Sequence, residues 1–158
     1  MRVLGMFVVA AMVALSGCSA GEHTDAAKTE VTKFRQQVDA GQFAEIYKAS
    51  GTDIRNAMPE AQFVEMIGGF HQAIGKFTSA PDPGWNYNTD DAGQRVTLDY
   101  DSTFERGKAH ETFVYKIIDG KAVLAGYNFK ADGPMATAPA ANTTEEVPAD
   151  GDGEAEGT

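Results

Sequence analysis

Two kinds of hydrophobic spacing divide the chain. In its first half the apolar positions follow helical periods. Ala27, Val31, Phe34 and Val38 recur at three- and four-residue steps and form one stripe. Ala40-Gly41 ends that helix. Phe43, Ile46 and Tyr47 mark a short second helix. Pro59 is placed to open a third, where its missing N–H costs nothing. Phe63, Ile67, Phe70, Ile74 and Phe77 then make a strong stripe, with Val64, Gly68, His71 and Gly75 beside it. The two glycines predict close approach of this helix to a sheet, at some cost in helix stability.

The second half alternates with period two. Trp85, Tyr87 and Thr89 form one set, and Val96, Leu98, Tyr100, Ser102 and Phe104 a second. Glu111, Phe113, Tyr115 and Ile117 form a third, followed by Val123, Ala125, Tyr127 and Phe129. The residues between them are mostly polar, which is the pattern of an antiparallel meander with one covered face. Turn lengths set the expected register. A loop Asp90-Asp91-Ala92-Gly93 places Tyr87 opposite Val96 and Trp85 opposite Leu98. A loop Glu105-Arg106-Gly107-Lys108 places Ser102 opposite Glu111, Tyr100 opposite Phe113 and Leu98 opposite Tyr115. At the last turn a two-residue Asp119-Gly120 hairpin would pair Lys116 with Val123 and mix the faces. A three-residue loop, Ile118-Asp119-Gly120, keeps them apart and pairs Glu111 with Tyr127. The predicted class is α+β: N-terminal helices packed on a curved antiparallel sheet of about four strands, over residues 25–130. The third helix covers the inner face. This arrangement resembles the cystatin-like folds, including the nuclear transport factor 2-like cone.

The segments outside this domain carry a different signal. Met1-Arg2 is a short positive start, and Val3 to Leu15 is an uncharged apolar run of 13 residues. A membrane span needs about 20 residues, so the run fits the core of a signal peptide over 1–17. Leu15-Ser16-Gly17-Cys18 closely resembles the lipobox of bacterial lipoproteins. In that class the chain is cut before the cysteine, whose thiol receives diacylglycerol and whose new amine is acylated. Cys18 is the only cysteine, which excludes an internal disulfide and cysteine-based zinc sites. The alternative is an ordinary cleaved signal with an incidental cysteine. Residues 18–24 read as the lipidated cysteine and a short tether. Ser19, rather than Asp, favours the periplasmic face of the outer membrane by resemblance to Gram-negative sorting. The implied partner is thus a membrane, joined through Cys18.

From Ala131 to Thr158 there are seven acids, no base and no aromatic residue. Such a stretch cannot bury enough apolar surface to offset chain entropy, so 131–158 is predicted to be a disordered acidic tail. It would keep the protein soluble or reach a partner. The whole chain of 158 residues has a net charge of −10. Without those seven acids and Arg2 it has 16 acids and 12 bases, so much of the acidity belongs to the tail. No nucleic-acid partner is expected, because no basic face is available to neutralise phosphates.

The order and spacing of several short marks point to a family. Asp39-Ala40-Gly41-Gln42-Phe43 ends the first helix, and Gly75-Lys76-Phe77 ends the third. Phe104 stands across a hairpin from Glu111-Thr112-Phe113, and Gly126-Tyr127 closes the domain. Together they resemble the bacterial domain-of-unknown-function family 4019, over about residues 30 to 129. The resemblance implies a small secreted or envelope domain and supplies no catalytic residues.

Glu111 is the residue most suggestive of chemistry. Alternation puts its carboxylate on the inner face, beside Ser102 and Tyr127. One reading makes it a polar anchor or acid/base group of a pocket lined by Tyr100, Ser102, Tyr115 and Tyr127. The favoured reading makes it a structural carboxylate held by Tyr127, Ser102 or Arg106. For the tyrosines, packing with the hydroxyl at a rim is favoured over a binding role. Trp85 is expected to pack in the core, an exposed partner contact being the alternative. Asp99 and Asp101 point outward, with Val114 and Thr112 as expected cross-strand neighbours. His23, His71 and His110 share no metal-ligand spacing, so no zinc site is expected. There is no G-x-S-x-G, P-loop or dinucleotide fingerprint, and no cofactor is implied. The leading functional expectation is an envelope-anchored, non-enzymatic binding or assembly module, whose partner is an envelope protein or a small apolar ligand. The alternatives are a small isomerase-like enzyme using Glu111 and the tyrosines, and a purely structural domain whose inner face is filled.

Overall fold

The 3.6-residue stripe of the first helix produces a long amphipathic α1, Ala20–Asp39, in a computed structural model that describes residues 20–133. It is followed by α2 (Phe43–Ala49), α3 (Thr52–Ala57) and α4 (Glu60–Ile74). Five strands complete the fold: β1 (Phe77–Ser79), β2 (Gly84–Asp90), β3 (Gly93–Phe104), β4 (Gly107–Ile118) and β5 (Lys121–Ala131). Residues 1–19, which hold the expected signal peptide and Cys18, and residues 134–158 lie outside the described residues.

The helices differ from expectation in three places. α1 begins at Ala20, so residues 20–24, read from the sequence as tether, are helical, and His23 and Thr24 are buried. The short helix α3 carries a single buried apolar residue, Ile54, too little for a detectable period. α4 stops at Ile74 because Gly75, at φ 82°, turns the chain into a left-handed conformation that glycine adopts without a Cβ clash. Phe77, assigned to the helical stripe from its spacing, therefore belongs to β1. Gly68 does admit a close neighbour, but it is Phe43 of α2 rather than the sheet: a Cβ there would lie 3.3 Å from the ring.

All strands are antiparallel in one curved sheet. β3 pairs on one edge with β1 and β2 and on the other with β4, and β5 follows β4 as the far edge. Trp85 faces Leu98 and Tyr87 faces Val96, as the turn length predicted. The β3–β4 hairpin is tighter than expected. Phe104 pairs with Gly107, so Tyr100 faces Glu111, Leu98 faces Phe113 and Ser102 faces Ala109. This shift from the expected register is two residues, an even number, and every side chain keeps its face.

The β4–β5 turn corrects the expectation of a three-residue loop. It is the two-residue Asp119-Gly120 hairpin, with φ 50° and 74°, the positive pair a type I′ turn demands. Lys116 does face Val123. The mixing of faces is undone further on: Tyr115 faces Leu124 but Val114 faces Gly126, so Ala125 is the extra residue of a bulge. Beyond it Tyr127 again points inward, opposite Phe113.

α1 and α4 cover the inner face of the sheet. Ala27, Val31, Phe34, Val38, Phe63 and Ile67 pack on Val96, Leu98, Phe113, Tyr115, Leu124 and Tyr127. A smaller cluster of Phe70, Ile74, Phe104 and Ala109 closes one end. The β3–β4 turn pins the end of α4 there. Arg106 N–H donates to the Ile74 carbonyl at 2.9 Å, and its guanidinium donates to the Ala73 and Gln72 carbonyls.

Candidate functional site

The inner-face polar residues meet beneath α1. Arg35 lies on the flank of the α1 stripe, four residues after Val31, and its side chain reaches over the sheet. Its Nη2 donates to Glu111 Oε2 at 2.7 Å and to Ser102 Oγ at 2.8 Å. The Ser102 hydroxyl donates to the same carboxylate oxygen at 2.5 Å, and Tyr127 OH donates to Oε1 at 2.8 Å. Glu111 and Ser102 are 1% and 0% exposed. Both carboxylate oxygens are therefore engaged in a desolvated setting, where charge-assisted bonds are strongest.

The guanidinium is also boxed by rings. Its central carbon lies 4.0 Å from the centroid of Phe77 and 4.4 Å from that of Tyr100. Such contacts favour a cation most when it is desolvated. Burial pushes the Tyr100 phenol up, with the Arg35 charge opposing. Burial likewise pushes Tyr115 up. Tyr127 is raised well above its ordinary value by burial and then by the Glu111 charge. All three phenols stay protonated at neutral pH, and Tyr127 remains a donor to the carboxylate.

The structure thus brings together Glu111, Ser102 and Tyr127, as alternation predicted, though by diagonal rather than direct cross-strand contact. Tyr100 joins through its ring face on Arg35. Tyr115 does not join: it stacks on Phe113 with ring centroids 6.4 Å apart. Arg106, one of the sequence-based candidates to hold Glu111, caps α4 instead. Arg35 was missed. The available signal was an arginine on the edge of the stripe that covers a face carrying an acid.

Space around this cluster is small. The cavity bounded by Arg35, Phe77, Phe104, Glu111 and Tyr127 measures about 10 Å³, at the lower limit of the ~10–15 Å³ that admits one water. Two larger hollows lie elsewhere. One of about 220 Å³ borders Asp53, Gln94, Lys116 and Ile118, and one of about 190 Å³ borders Ile54, Met58, Phe63, Met66 and Tyr127. Asp53 and Lys116 form an ion pair at 2.8 Å, which holds the Asp53 carboxyl below its ordinary range.

On the outer face His110 sits between two acids, 3.0 Å from Asp101 and 3.7 Å from Asp99. The hydrogen bond with Asp101 pushes its imidazole up. The tighter hairpin gives Asp99 Thr112 as its cross-strand neighbour and Asp101 His110, in place of the expected Val114 and Thr112. Among the described residues no group of three or more His, Cys, Asp or Glu is placed to hold a metal ion. Trp85 is 54% exposed, which overturns the expectation of core packing.

These features define a small α+β domain whose buried acid has both carboxylate oxygens hydrogen-bonded, while the Arg35 Nε–H beside it is buried without a partner. The family model described as a protein of unknown function (DUF4019) matches residues 30–127, and the chain belongs to that family. No curated protein and no solved structure matches it.

Proposed function

We propose that this chain is an envelope lipoprotein, held by acyl chains on Cys18 at the periplasmic face of the outer membrane. Its domain is a non-enzymatic binding or assembly module that works through its surface. The observation that carries the second part is the roughly 10 Å³ cavity beside Glu111. A ligand or substrate pocket measures several hundred Å³. The isomerase-like alternative needs Glu111 to reach a substrate proton, yet both its oxygens are already bonded to Arg35, Ser102 and Tyr127. Support for the anchor is the 13-residue apolar run and the lipobox ending at Cys18. No helix among the described residues is long and apolar enough to cross a membrane. The long helix laid across a curved sheet is the arrangement of cystatin-like and nuclear transport factor 2-like folds, and we assign the domain to that group.

The test is Cys18→Ala in cells. The variant moves from the membrane fraction to a soluble or uncleaved form, and the native chain carries the mass of its acyl groups. An unchanged distribution, or a native chain with a free thiol, overturns the anchor.

A further inference from the structure

We propose that the domain has no stand-off from its membrane, and that the edge carrying Trp85 lies against the lipid headgroups. The inference rests on acylation of Cys18. Only Ser19 lies between Cys18 and Ala20, the first residue of α1, so their Cα atoms are at most about 7 Å apart. The first turns of α1 cannot lengthen this link without loss, because they are part of the packing. His23 and Thr24 are buried, and the His23 ring stacks on Tyr87 of β2 with centroids 5.8 Å apart. The anchor therefore leaves the domain beside β2.

Trp85 stands on the same strand, two residues before Tyr87 and on the same face, since their partners Leu98 and Val96 both point into the core. Tyr87 is half-buried there and Trp85 is exposed. An indole suits a bilayer surface, with an apolar body for the acyl boundary and an N–H for the headgroup layer. Two acids close in sequence to these elements are exposed: Asp25, two positions after His23 on α1, and Asp82, three positions before Trp85. Their charge selects zwitterionic over anionic headgroups. The occupant of this edge is thus a phosphatidylcholine- or phosphatidylethanolamine-like surface.

Trp85 is the only tryptophan in the chain, so intrinsic emission reports on this residue alone. The acylated full chain is placed in phosphatidylcholine vesicles with and without bromines on the acyl chains near the headgroup. The expected result is a blue shift relative to soluble Cys18→Ala protein, together with quenching by the brominated lipid. Quenching is weaker in phosphatidylglycerol vesicles. A long flexible Gly/Ser insertion after Ser19 keeps the protein on floated vesicles but abolishes the quenching. Acylated, vesicle-bound protein whose emission is unshifted and unquenched overturns the inference and leaves the anchor standing. Quenching that survives the insertion also overturns it, because Trp85 would then bind lipid without the short connection. A chain found unacylated by mass spectrometry removes anchor and inference together.

Discussion

Arg35 of α1 and Glu111 of β4 lie 76 positions apart in sequence and meet at 2.7 Å under the helix. The pair ties the long helix to the middle of the sheet, and Ser102 and Tyr127 supply the remaining donors. Removing one member of a buried pair strands the other's charge and costs about 3–5 kcal/mol. Arg35→Met and Glu111→Gln should each lower the melting temperature by on the order of 10–20 °C for a domain of this size. The double variant Arg35→Met/Glu111→Leu should recover part of that loss, because a well-packed apolar pair replaces the charges. Thermal unfolding followed by circular dichroism checks both points, and a melting temperature unmoved by either single change would contradict the structural role.

Gly75 should not tolerate a side chain. Its φ of 82° places a Cβ 2.9 Å from the Cβ of Glu105. The same Glu105 accepts a hydrogen bond from the Lys76 N–H at 3.0 Å. Gly75→Ala should cost at least the ~1–2 kcal/mol of a left-handed non-glycine residue. Gly69→Ala is the control, since nothing lies within 4 Å of its Cβ and it sits inside α4. It should be neutral or slightly stabilising in urea unfolding.

His110 makes stability fall as pH rises above the ordinary imidazole range. Asp101 raises its pKa above the ordinary 6.5. Its contribution is complete below about that pH and disappears as pH rises through the folded value. The imidazole is half exposed, so the effect stays under about 1 kcal/mol. Melting temperatures compared between pH 5.5 and 8.5 should show this drop in the native chain and lose it in His110→Gln.

Asp53 acts on the acid side. Lys116 lowers its carboxyl pKa below the ordinary 3.8. The contribution is present above that pH and is lost as pH falls through the folded value. The carboxylate is partly exposed, so the pair contributes about 0.5–1 kcal/mol. Lys116→Met should reduce stability at pH 7 by that amount, with a smaller difference from the native chain at pH 2.5. Both follow from denaturant titration at the two pH values.

The covered face was legible because alternation and helical spacing are local consequences of burial. Ala27 to Val38, Phe63 to Ile74 and the inward residues of β3 and β4 all follow from the spacing of side chains along one element. Glu111 among Ser102 and Tyr127 followed in the same way. Arg35 did not, because a helix stripe fixes which face is buried and says nothing of where that face lands on a sheet. The bulge at Ala125 was equally hidden: a two-residue turn and a later extra residue have the same net effect on facing as a longer loop.

The amino-acid order by itself determined the class of fold, the apolar face of each long element and the identity of the acid on that face. Tertiary structure alone decided that α1 starts within two residues of Cys18, that Arg35 closes on Glu111, that the space around them is filled and that Trp85 is left outside. The physical reason is range. Periodicity records whether a residue is buried, whereas partner, cavity and exposure depend on how two distant elements cross, and no local pattern encodes that crossing.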